Sequence, residues 1–146
     1  MLYHVCVLLL AGSFAADAKD EAAKTELQKM KGNWKITELV IDGKAGPKDA
    51  LGAAVTIEGS TMTLTLKDPG GKEEKKSMTL IIDPTKTPKQ IDMKPDKDVP
   101  SLGIYELKGD TLRICGSDPP KSKDRPTNFE PKKGDHRVLL TLTRVK

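Results

Sequence analysis

Nucleophilic catalysis of the Ser–His or Cys–His kind needs a base held against a nucleophile. The chain of 146 residues offers two histidines, His4 and His136, and two cysteines, Cys6 and Cys115. His4 and Cys6 fall in an N-terminal segment expected to be removed. That leaves His136, at a Gly134-Asp135 turn before the last strand, and Cys115, inside the strand-like run Leu112-Arg113-Ile114-Cys115. One histidine and one cysteine on separate segments assemble neither a triad nor a transition-metal site. Asp92, Asp96 and Asp98 have the oxygen chemistry for calcium. Lysines and prolines interrupt them, however, and the glycine-bearing calcium-loop pattern is missing, so they read as a solvated loop. Gly70-Gly71 follows Pro69 and reads as a hairpin turn, not a phosphate cradle. No catalytic set, metal or cofactor is expected. The residue chemistry points away from an enzyme and toward binding or scaffolding.

Three side chains remain as candidates for contact with a ligand, each with a structural alternative. Tyr105 lies in Gly103-Ile104-Tyr105-Glu106-Leu107. It either lines a cavity and hydrogen-bonds a ligand or serves a hairpin whose bend is Gly103 and whose turn is Gly109-Asp110. Arg125 and Phe129 lie in the longest loop, Gly116 to Gly134. Arg125 either pairs with an acid such as Asp110 or Glu106 and latches the loop, with Phe129 as a plug, or receives an anionic ligand at a barrel mouth. Cys115 reads as a small buried hydrophobe. As a lone mature cysteine it cannot make an internal disulfide, so the core must hold the fold.

Composition narrows the partners. There are 25 basic and 21 acidic residues, a net charge of +4, but the excess is scattered lysine. Aromatics make up 3% of the chain, too few for a base-stacking platform, so no nucleic-acid partner is expected. Scattered lysine serves solubility. At the N-terminus, Val5 to Ala11 is an unbroken apolar run followed by the small-x-small patterns Ser13-Phe14-Ala15 and Ala16-Asp17-Ala18. This is the layout of a secretory signal peptide over residues 1–18, cleaved after Ala15 or Ala18. Its n-region lacks Lys and Arg, and the alternative is a buried N-terminal strand or helix. Ser13 stands where a lipidated cysteine would be required. The run is too short to span a bilayer. An exported protein, periplasmic or secreted, is therefore expected, with residues 19–146 forming one modest-core domain and a monomer.

The elements that must position these side chains follow from periodicity. Asp20 to Lys31 reads as a helix, with Ala22, Ala23, Leu27 and Met30 on one side and Gly32 as its stop. Acids near its start and lysines near its end suit the helix dipole. Period-two patterning then predicts strands over Asn33–Ile41, Ala53–Glu58, Thr61–Lys67, Lys75–Ile82, Gln90–Lys94, Ser101–Leu107, Thr111–Cys115 and Arg137–Val145. Eight sequential antiparallel strands lose their edges by closing into a barrel, whose interior is packed or just wide enough for one small ligand. A two-sheet sandwich is the alternative.

Several segments, in order, resemble an uncharacterised lipocalin-like domain family common in planctomycete bacteria. They are Leu27 to Trp34 followed by Asp42-Gly43, Asp83-Pro84-x-Lys86-x-Pro88-Lys89-x-Ile91-Asp92, Gly103 to Cys115, Arg125-Pro126-x-x-Phe129 and Leu140-x-Leu142-x-Arg144. The resemblance covers nearly all of the mature chain and implies a fold but no activity. Gly32-x-Trp34 also resembles the opening of true lipocalins. That likeness implies that Trp34 on the first strand packs beneath Arg144 from the last and closes one barrel end. The resulting expectation is a mostly β, eight-stranded, lipocalin-like barrel behind one short helix. It would bind a small apolar or amphipathic molecule, or else act as an envelope structural or protein-interaction domain without one.

Overall fold

A computed structural model describes residues 13–119 and 121–146. The apolar run Val5 to Ala11 lies outside the described residues. Helix α1 spans Ser13–Met30 and so begins earlier than the sequence pattern suggested. It runs through Ala15 and Ala18, and it leaves Asp20 and Glu21 in mid-helix instead of its first turn. Its docking face is short: Glu26 and Met30 are buried, and Ala23 and Leu27 pack against the core. The helix ends because Gly32 takes φ +138°, a conformation that a side chain would strain.

The strands are β1 (Gly32–Ile41), β2 (Lys44–Ala45), β3 (Ala54–Glu58), β4 (Thr61–Lys67), β5 (Glu73–Asp83), β6 (Gln90–Pro95), β7 (Ser101–Lys108), β8 (Thr111–Ser117) and β9 (Arg137–Arg144). A 3-10 turn at Lys48–Ala50 and the two-residue β2 carry no apolar alternation, which is why the sequence pattern passed over both. β1 and β3 to β9 pair antiparallel with their neighbours, and β9 pairs back onto β1. The result is a closed eight-stranded antiparallel barrel with no free edges, not a sandwich.

Cross-strand register builds the interior. Trp34 pairs with Val55, Val55 with Leu64, Ile57 with Met62, Ile82 with Ile91 and Leu112 with Leu142. A bulge between Ile36 and Glu38 shifts β1 by one residue. After it Leu39 faces Leu140 and Ile41 faces Val138, so both halves of β1 present apolar side chains inward.

The opposite face of β7 to β9 carries a second, smaller cluster of Ile104, Cys115 and Leu139, with Val40 and Phe129 packed on it. The connection from Ser117 to Arg137 covers this patch from outside. It is tied at its far end by Asp42, whose Oδ1 accepts from the Gly134 N–H at 2.8 Å and the His136 N–H at 3.1 Å. Those donors, the His136 amide first, hold the Asp42 carboxyl below its usual range. In this contact His136 works through its backbone and adopts φ 51°.

Candidate functional site

The barrel has two unlike ends. At the first, Arg144 lies over the Trp34 indole with its guanidinium carbon 4.2 Å from the ring centroid. Its two terminal nitrogens donate to the carbonyls of Lys31 and Lys29, each at 2.7 Å. Lys29 lies in the last turn of α1 and Lys31 directly follows it, where carbonyls lack an intrahelical partner. The Trp34 indole N–H donates at 2.8 Å to a third, that of Met30. Arg144 Nε lies 3.3 Å from Asp110, whose carboxyl is held low by Lys146 first and Arg144 second. A Cβ at Gly32 would sit 2.8 Å from Arg144 Nη1, so glycine leaves room for the guanidinium. Gly32, Trp34 and Arg144 thus meet at one place.

The same end holds a buried acid that no sequence motif announces. Glu26 is 8% exposed. Its Oε2 accepts from the Tyr105 hydroxyl at 3.1 Å and from Lys89 at 3.2 Å, and Lys29 approaches Oε1 at 3.4 Å. Burial pushes the Glu26 carboxyl up, but Lys89, Tyr105 and Lys29 outweigh it and hold the group below the usual glutamate value. Burial, with the Glu26 charge behind it, pushes the Tyr105 phenol far up, so it stays a donor. Lys19 pairs with Asp83 at 3.2 Å and pins an earlier turn of α1 to β5. The one sequence sign of Glu26 is its spacing: it falls on the docking face of α1 between Ala23 and Met30.

The opposite end opens into a cavity of about 570 Å³. Met78, Met93, Ile114, Val138 and Leu140 form its wall, and Pro95, Val99 and Pro119 also line it. Val99 is 51% exposed. Its polar lining is sparse. Ser101 Oγ donates to Ser117 O at 2.7 Å, and Ser117 Oγ accepts from the Leu102 N–H at 3.1 Å, so both hydroxyls are engaged. Asp98, on the loop between β6 and β7, is the one charged residue among the described lining. The sequence left open whether the barrel interior is packed or hollow, because the cavity consists of what the inward side chains fail to fill.

The three candidate contact residues do not assemble there. Tyr105 points into the α1 end and is absent from the open-end lining. Arg125 does latch its loop, but its acid is Asp92, 2.7 Å from Nη1, in place of Asp110 or Glu106. The same Nη1 donates to Gly103 O at 2.7 Å. Asp92 Oδ1 lies off the hydrogen-bonding direction, so that contact is an ion pair. Glu106 instead meets Lys108 and Arg113, and Asp110 meets Arg144 and Lys146. Phe129 plugs no barrel mouth. It lies against the outer wall with Arg113 4.7 Å above its ring. Cys115 is fully buried in that wall, and burial pushes its thiol up.

Among the described residues no three His, Cys, Asp or Glu side chains group as a metal site, and no helix is long and apolar enough to cross a membrane. No protein-family model, curated protein or solved structure matches the chain.

Proposed function

We propose that the chain is an exported, lipocalin-like binding barrel that takes an apolar or amphipathic small molecule into its open end without turning it over. The observation that carries this reading is the cavity. Its volume, about 570 Å³, falls in the range of small-molecule pockets. Its wall of Met, Val, Leu and Ile side chains favours apolar matter over water. Two self-satisfied serines and one carboxylate supply no nucleophile with an adjacent base, which supports binding over turnover. The apolar run Val5 to Ala11 and the small residues after it support export.

The test uses the neutral dye N-phenyl-1-naphthylamine, which brightens in apolar surroundings. Saturable enhancement is expected with the wild-type protein. It should be lost in Val138→Trp, whose indole fills the cavity, while far-UV circular dichroism stays unchanged. No enhancement, or enhancement indifferent to Val138→Trp, overturns the reading. Native mass spectrometry of protein from its own host adds a second arm. A co-purifying small molecule supports the binding barrel, and a protein partner with no small molecule points to an envelope interaction domain.

A further inference from the structure

The open end selects for charge as well as for apolar bulk. This inference rests on the binding reading above and adds the polarity of the ligand's head group. Among the described lining residues Asp98 alone is charged, and it forms no ion pair with any described residue. Lys97 adjoins Asp98 on the same exposed loop, but it is not among the cavity's lining residues and makes no ion pair with Asp98. The other cations near the mouth point elsewhere or are paired. Lys94 pairs across strands with Thr79, on the face opposite Met93, so it stands outside the barrel. Lys76 follows the inward row of β5 beyond Met78 but meets Glu74 at 3.9 Å, and the two charges offset each other. A ligand whose tail lies along Ile114 would have its head at the mouth, against an unpaired carboxylate beside Val99.

We propose that the cavity prefers amphiphiles with a cationic or hydrogen-bond-donating head, such as an alkylammonium, and disfavours alkyl carboxylates. A carboxylate head entering beside Asp98 meets like charge and has no lining cation to replace its water. An ammonium head gains an ion pair. Because Asp98 is exposed, the gain is of the size of a surface ion pair, about fivefold in affinity. Salt should shrink it.

The experiment displaces N-phenyl-1-naphthylamine with three ligands of equal chain length, all below their micelle concentrations: dodecylammonium, dodecanol and dodecanoate. Dodecylammonium should displace the dye best and dodecanoate worst, with a gap between them of about five- to tenfold. Asp98→Asn should close that gap, and Asp98→Lys should reverse it. Equal displacement by all three ligands in the wild type, or a gap that survives Asp98→Asn, overturns the head-group inference and leaves the binding barrel standing. A wild-type protein that never binds the dye overturns both.

Discussion

At the α1 end of the barrel the groups that join helix to barrel have polar partners. Arg144 bonds two carbonyls at the helix end and covers Trp34, the indole N–H takes the third carbonyl, and Glu26 accepts from Tyr105, Lys89 and Lys29. At the other end, about 570 Å³ stay unfilled between methionines and β-branched side chains, and Asp98 stands unpaired at the rim. The closed end shows how a short helix is held onto a barrel. Ion pairs and hydrogen bonds to its orphan carbonyls add to a narrow apolar face that could not hold it alone. The open end shows what that rigidity permits. A barrel stapled at one end by helix and indole can leave the other unpacked without losing its closure. Substitutions at the first end should therefore cost stability, and those at the second should cost binding.

The sharpest way to break this contrast is Trp34→Ala. It should destabilise by about 3–5 kcal/mol, read from the denaturant midpoint, as expected for truncating a large core aromatic. A near-neutral result would mean the indole does not hold the α1 end. Next in size is Tyr105→Phe, which strips one donor from a buried carboxylate and should cost about 1–3 kcal/mol. A double-mutant cycle with Glu26→Gln should return a clear coupling energy for the pair.

The smallest effect concerns pH. Glu26 has a folded value below its unfolded one, so its contribution is present above the ordinary glutamate value. It is lost as pH falls through that value toward the folded one. Tyr105 has the opposite sign: its value is raised, so its contribution holds below about pH 10 and declines as pH rises beyond. Glu26→Gln should therefore flatten the acid limb of stability against pH measured by thermal unfolding. An acid limb unchanged by that substitution would remove Glu26 from the account.

Much of the barrel was legible in the chain itself. Thr61 to Lys67 matches β4 residue for residue, since Met62, Leu64 and Leu66 alternate with threonines and nothing competes with a period of two. β1 was legible too, from its alternation after Gly32, whereas the expectation that Trp34 would meet Arg144 came from the likeness to the lipocalin opening and not from periodicity. The helix start was misplaced because Ala15, Ala16 and Ala18, at the end of the expected signal segment, are also good helix formers, and propensity alone sets no boundary there. Arg125 lies against Asp92 and the Gly103 carbonyl, where the sequence had offered Asp110 or Glu106 as its acid. Which carboxylate a loop arginine meets depends on where the loop crosses the barrel, and local periodicity carries no such information.

The amino-acid sequence by itself determined the period-two strands, their number and order, and the stop at Gly32. All of these follow from local backbone preference and from the need of an antiparallel meander to lose its edges. Only the tertiary structure decided that Glu26 would be buried under Tyr105, that Phe129 would cover the outer wall, and that one end would stay empty. Those outcomes depend on how side chains far apart in the chain share a fixed volume. A cavity belongs to no residue, and a buried acid is stable only where its partners converge.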